Sequence, residues 1–110
     1  MNLFLTNDWH AVPENDSYGH DVEATYLIDE AGVVLAHAGA APSAGERERT
    51  EKVGRMLMDH ALAYGWDSAH GGLYHSGPFA GRPADLLKEW WVQMESLNTC
   101  LLYTSPSPRD

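Results

Sequence analysis

A chain of 110 residues with 44% apolar composition and four Trp makes at most one domain, globular rather than disordered. Its net charge of −9 argues against nucleic acid or an anionic membrane as a partner, because both are held by Lys and Arg neutralising phosphate. No apolar run approaches the roughly 20 residues of a bilayer span, and no signal-peptide pattern opens the chain, so a cytoplasmic setting is expected, with the natural N-terminus lying upstream of Met1.

Residues 1–16 alternate apolar and polar around Leu3, Leu5 and Trp9 before Pro13 and the Asn15-Asp16 turn signal. This reads as a short extended segment, with Trp9 packing inward and His10 at the surface. A first helix is predicted from about Ser17 to about Ala38, with Ser17 as N-cap and Gly39 and Pro42 ending it. At about 100° per residue, His20, Glu23, Leu27, Ala31, Val34, Leu35 and Ala38 fall in one sector, which predicts a buried stripe with a polar pair at its N-terminal end. His20 and Glu23, three residues apart, share that face, and His20 lies in the first turn, near the positive end of the helix dipole. A titratable imidazole beside a carboxylate makes this the first place to look for chemistry. Asp21, about 100° further round, is expected to meet a neighbour or cap the helix.

Ser43 to Gly65 reads as a second helix, with Glu46, Glu48 and Glu51 in its early turns where carboxylates complement the dipole. Val53, Met56, Leu57, His60, Ala61 and Tyr64 form its apolar stripe, and a core-facing His60 bonded to a neighbour outweighs a catalytic one. From Trp66 to Asp85 the chain is too rich in Gly, His and Pro for a helix and suits a long loop with a small hairpin, His70 and His75 being exposed loop residues. A third helix is predicted from 84–86 to past Leu97, with Leu87, Trp90, Trp91, Met94 and Asn98 on one face and Glu95 at its edge. Two adjacent indoles with a carboxylate one turn on are either core or a carbohydrate-stacking wall. The helical pattern stops at Thr99. Residues 100–110, CLLYTSPSPRD, resemble the in-frame translation of a sequencing adapter and are set aside from the fold, and with them goes the single Cys.

Two of these runs carry a family resemblance. SYGHDVEATYLIDEA, beginning at Ser17, resembles the catalytic-His helix of the N-acylglucosamine 2-epimerase superfamily, most closely its cellobiose 2-epimerase branch. KEWWVQMESL, beginning at Lys88, resembles the Trp-Trp-x-Gln-x-Glu helix of the same family, and Gly71-Gly72-Leu73-Tyr74 between them resembles its GGLY element, which borders the sugar cleft. The implied fold is all-α, a fragment of an (α/α)6 barrel of which residues 1–99 supply about three helices. The implied activity is epimerisation at C2 of a ring-opened sugar through a cis-enediolate, with a sugar as the small-molecule partner and no metal or redox cofactor.

Carried over by position, His20 resembles one of the family's two proton-exchanging histidines and Glu23 the carboxylate near it. Trp90, Trp91 and Glu95 resemble the residues that line the cleft and support the histidine. The second catalytic His is expected beyond the third helix, so residues 1–110 alone are expected to be inactive. The nearest rivals are an aldose-ketose isomerase of the same superfamily, of mannose type, and a non-catalytic carbohydrate-binding relative. A hydrolase with paired carboxylates leaves the His unexplained, and six His without an H-E-x-x-H pattern or close cluster speak weakly for metal.

Overall fold

The structure, a computed structural model, describes residues 1–13 and 15–104. Its elements in chain order are a two-residue strand β1 (Asp16–Ser17), helix α1 (Tyr18–His37), helix α2 (Ala44–His60) continued by a π-helical turn (Ala61–Gly65), a second short strand β2 (Ser76–Gly77) and helix α3 (Trp90–Thr104). The all-α expectation holds, with three helices and one small antiparallel pairing in which Ser17 faces Ser76.

Local sequence accounts for most helix ends. Ser17 caps α1, its side chain accepting from the His20 amide, and Gly39 leaves the helix at φ 76°. Ser43 and Glu46 form a reciprocal capping box at the start of α2, satisfying two otherwise orphaned amides.

The beginning and end of α3 differ from expectation. Residues 84–87 are not helical because they are tied to β2: the Ala84 and Asp85 amides both donate to Ser76 O at 3.0 Å, and Asp85 Oδ1 accepts from the Leu87 amide at 2.9 Å. At the other end the helix passes Thr99, since Cys100, Leu101 and Leu102 contain no breaker and the first prolines stand at 106 and 108. Residues 100–104 of the stretch read as a tail therefore extend α3, and residues 105–110 lie outside the described residues.

The N-terminal segment is a hairpin rather than a single extended run. Leu5 bridges Ala11, the Thr6 amide donates to His10 O, and Trp9 at its tip takes φ 67° with 82% of its surface exposed, so it does not pack as predicted. His10 is at the surface, as expected, beside Asp8.

The core is built from Tyr18, Val22, Ala61, Leu73 and Val92, with Met58, Tyr74 and Trp91 packed against it. This overturns the predicted stripe on α1. Its buried residues are Tyr18, Gly19, Asp21, Val22 and Thr25, whereas Leu27, Val34 and Leu35 stand 46%, 65% and 47% exposed. Residues 22–35 are apolar on nearly every side of the helix, so periodicity does not choose a face; the neighbours do. Among the described side chains of α3 the buried ones are Val92 and Thr99, seven apart, while Trp90 and Met94 of the predicted face are exposed. On α2 and its continuation, Gly54, Ala61 and Gly65 are buried and Val53 and Met56 are exposed.

Small residues on these faces let the helices approach closely. A Cβ on Gly19 would lie 2.6 Å from Trp91 Cη2 and 2.8 Å from Val92 Cγ2, and one on Gly65 would collide with the Tyr18 ring. At such distances side-chain hydroxyls reach the facing backbone: Thr99 Oγ1 donates to Val22 O at 2.8 Å, and Thr25 Oγ1 lies within reach of Gly54 O as well as Asp21 O. These buried hydroxyls are satisfied across helix interfaces.

The loop between α2 and α3 is anchored to α3 by one amide side chain. Gln93 Oε1 accepts from the Leu73 amide at 2.9 Å and Gln93 Nε2 donates to Leu73 O at 2.8 Å. Gly71 and Gly72, at φ 74° and 85°, supply the left-handed turn that presents Leu73 this way. Leu73 is 1% exposed, so Gln93→Leu leaves two buried backbone groups without partners. It is expected to cost about 1–2 kcal/mol in urea unfolding; an unchanged midpoint would show that the loop is held by other contacts.

Candidate functional site

The N-terminal turn of α1 and the first turns of α3 meet at His20 and Trp91. The His20 ring stands edge-on to the Trp91 indole, with centroids 5.2 Å apart and planes at 67°. His20 Nδ1 is 2.7 Å from Ser17 Oγ. Among the described residues no hydrogen-bond partner faces His20 Nε2, and the residue is half-buried. One nitrogen is thus engaged by the protein and the other is uncommitted among the described residues.

The remaining predicted residues are brought together unequally. Glu95 is half-buried and accepts from Tyr26 Oη at 2.8 Å, a bond that joins α3 to α1. That bond, with burial and the charges of Glu95 and Glu23 adding to it, raises the Tyr26 phenol above its ordinary pKa. Glu23 lies one turn before Tyr26 on α1, half-buried and without a hydrogen bond or ion pair among the described residues. Trp91 is half-buried, whereas Trp90, the first residue of α3, is 77% exposed and takes no part in the contact with His20.

Two residues not among the candidate site residues read from sequence complete the surroundings. Glu89 Oε2 accepts from Trp91 Nε1 at 2.5 Å and lies 3.3 Å from His75 Nδ1, so the indole is held from behind by a carboxylate that also faces an imidazole. His75 is therefore not an exposed loop residue: its side chain is 25% exposed, while that of His70 is 82% exposed as predicted. The only sequence signal for Glu89 was its place two residues before Trp91; the approach of His75 is a product of the β1–β2 pairing next to it. His60 is satisfied in the core, as predicted, with Nδ1 2.6 Å from Asp21 Oδ2 and Nε2 donating to Phe79 O at 2.9 Å. Asp21 is fully buried in that contact, which removes it from the His20 side of the helix.

Next to the Gln93 anchor, Lys88 and Asp67 clamp the same loop. Lys88 Nζ donates to Asp67 Oδ2 at 2.5 Å and to Gly71 O at 2.7 Å, and the Ala69 and His70 amides donate to Asp67 Oδ1. The Lys88 bond first, then these amides against the opposing effect of burial, hold the Asp67 carboxyl well below the usual carboxylate range. A carboxyl whose folded pKa is depressed stabilises the fold above its unfolded value, about 3.9, and loses that contribution as pH falls through the folded value. The difference in thermal midpoint between the native chain and Asp67→Asn is therefore expected to shrink as pH drops below about 4. A difference constant down to pH 2 would remove Asp67 from the acid sensitivity.

Elsewhere, a cleft of about 220 Å³ lies between α1 and α2, lined by residues including Ile28, Gly32, Pro42, Arg47 and Thr50, and contains none of the predicted site residues. Among the described residues no group of three His, Cys, Asp or Glu is arranged to hold a metal ion, and no helix is long and apolar enough to cross a membrane.

The helical scaffold sets a half-buried imidazole against an indole, with carboxylates on the adjoining turns. The chain belongs to the N-acylglucosamine 2-epimerase family, whose model matches residues 4–109. It is 34% identical over 97 residues to the cellobiose 2-epimerase of Bacteroides fragilis, an alignment covering 88% of this chain and 23% of that protein. The chain thus spans about a quarter of the length of this curated relative. No solved structure matches it.

Proposed function

We propose that this chain carries one acid/base half of a sugar 2-epimerase of the cellobiose 2-epimerase kind, with His20 as the group that takes and returns the C2 proton. The observation that carries this reading is the division of labour on the His20 ring: Nδ1 sits 2.7 Å from Ser17 Oγ, Nε2 is uncommitted among the described residues, and an indole stands against the ring edge.

Epimerisation beside an aldehyde requires ring opening, loss of the weakly acidic C2 proton and its return on the other face. The electron pair left by the C–H bond passes into an enediolate, and the proton goes to His20 Nε2. An imidazole suits both directions because its unperturbed pKa, about 6.5, lies near neutrality. A second acid/base group on the opposite face completes inversion. Trp91 offers an apolar surface for sugar C–H groups, and Glu95, with Glu23 nearby, offers acceptors for hydroxyls or for a cationic His20. Trp90 is proposed to meet substrate only at the outer rim, given its exposure. The three helices are read as part of an (α/α)6 ring.

The test places these residues within a complete family-length domain and incubates the protein with cellobiose, N-acetylglucosamine and mannose in deuterated water. Deuterium at C2 with inverted configuration supports the proposal. A ketose as main product assigns the site to an aldose-ketose isomerase instead, and sugar binding without exchange assigns it to a non-catalytic carbohydrate-binding relative.

A further inference from the structure

We propose that Glu89 is a positioning residue that sets the pose of the Trp91 indole for sugar binding, an inference that rests on the reading of Trp91 as the apolar wall beside His20. The direction of the bond between them is unambiguous. An indole N–H only donates, and Glu89 Oε2 accepts from Trp91 Nε1 at 2.5 Å. His75 Nδ1, 3.3 Å from the same oxygen, is buried and forms no hydrogen bond among the described residues, so Oε2 is directed at the indole and not at the imidazole.

The carboxylate is mounted on a fixed piece of backbone. Glu89 immediately precedes α3, and its carbonyl accepts from the Gln93 amide at 3.4 Å, which makes it the N-cap of that helix. The residue before it, Lys88, donates to Asp67 Oδ2 and Gly71 O, and Gln93, one turn on, holds both backbone groups of Leu73. An N-cap side chain ordinarily turns to the first free amides of its helix. Among the described residues Glu89 Oε2 bonds instead to the indole two residues on, and so fixes a ring.

At its other end the six-membered ring of Trp91 lies against the place a Cβ on Gly19 would take, with Cη2 and Cζ3 2.6 and 2.8 Å from it. Gripped at Nε1 and at this far edge, the indole is oriented before any sugar arrives, in the pose that meets the His20 ring with centroids 5.2 Å apart. A stacking surface held in this way removes from the ligand the entropic cost of ordering it. Without the carboxylate the N–H of a half-buried indole has lost its acceptor, and the ring is free to turn toward water. The loss falls on sugar binding in ground state and transition state alike, so it is read in KM rather than in kcat.

The first measurement is made on the 15N-labelled chain, in which four Trp give four indole N–H signals, that of Trp91 being assigned by its loss in Trp91→Phe. Trp9 and Trp90, 82% and 77% exposed, supply unprotected references. The Trp91 N–H is expected to exchange with solvent more slowly than either, to join them in Glu89→Ala, and to stay protected in Glu89→Gln, whose amide oxygen still accepts.

In the family-length domain carrying these residues, Glu89→Ala is expected to raise KM for cellobiose at least about fivefold with little change in kcat, and Glu89→Gln to restore it. With the N–H removed in Trp91→Phe, adding Glu89→Ala is expected to change KM by less than about twofold, because the carboxylate has nothing left to hold. An unprotected Trp91 N–H in the native chain, protection that survives Glu89→Ala, a KM unmoved by Glu89→Ala, an effect confined to kcat, or the full effect persisting in Trp91→Phe would each overturn the proposal. If the native domain exchanges no deuterium at C2 the epimerase reading fails, and equilibrium binding of cellobiose then decides for Glu89. A Kd raised by Glu89→Ala and restored by Glu89→Gln sustains its role; an unchanged Kd, or no binding by the native domain, overturns it.

Discussion

In the family-length domain carrying these residues, replacing His20 by Asn is expected to lower C2 deuterium exchange by ~10²–10⁴-fold, the usual contribution of a positioned acid/base group, while leaving the helical circular dichroism signal in place. The fold should survive because His20 is not among the core residues, which lie on the other side of α1 at Tyr18, Val22 and Thr25. An Asn side chain also retains a polar atom near the position of Nδ1, so the Ser17 hydroxyl keeps a partner. What it lacks is a second nitrogen beyond that contact, on the side where His20 Nε2 is uncommitted among the described residues. Exchange at the native rate in His20→Asn would remove the imidazole from the reaction and with it the proposed mechanism.

Gly19→Ala is expected to destabilise the chain by about 2 kcal/mol in urea unfolding and, in the family-length domain, to depress exchange as well. The opposing effect is helix propensity, which favours Ala over Gly by about 1 kcal/mol. The clash wins because two side chains stand in the way and neither has room to give: a Cβ would lie 2.6 and 2.8 Å from Trp91 Cη2 and Cζ3, and 2.8 Å from Val92 Cγ2. Val92 is fully buried, and the Trp91 indole is tethered at its far end by Glu89. The strain is relieved only by moving α3 away from α1, which carries Trp91 off the His20 ring. A variant as stable as the native chain, or one that keeps full exchange, would show that the two helices are less tightly seated than their close approach indicates.

Much of the candidate site's local geometry was legible in the sequence because its parts are close along the chain. Ser17 ahead of His20 and Glu23 is an N-cap followed by one turn of helix, and the Trp91–Glu95 spacing is one turn of another, so each pair is fixed by backbone geometry alone. The meeting of His20 with Trp91, 71 positions apart, was supplied by the family resemblance and not by any pattern in the residues. His75 shows the opposite case. In a Gly-rich stretch no periodicity assigns it a neighbour, and only the strand pairing beside it carries it to Glu89.

What the amino-acid order determined by itself was where α1 and α2 start and where they cannot continue: the Ser17 and Ser43 caps, the exit at Gly39, and an irregular segment after Gly65. Those are decided within a few residues by side-chain hydrogen bonds to free amides and by φ restrictions. Which face each helix buries was decided only in three dimensions. On α1 apolar residues surround the axis, and the face that won is the one where Gly19 and Thr25 allow α3 and α2 to come closest, leaving Leu27 and Val34 exposed. The same is true of Gln93, whose side chain is an ordinary polar residue until the loop folds back and offers it both backbone groups of Leu73.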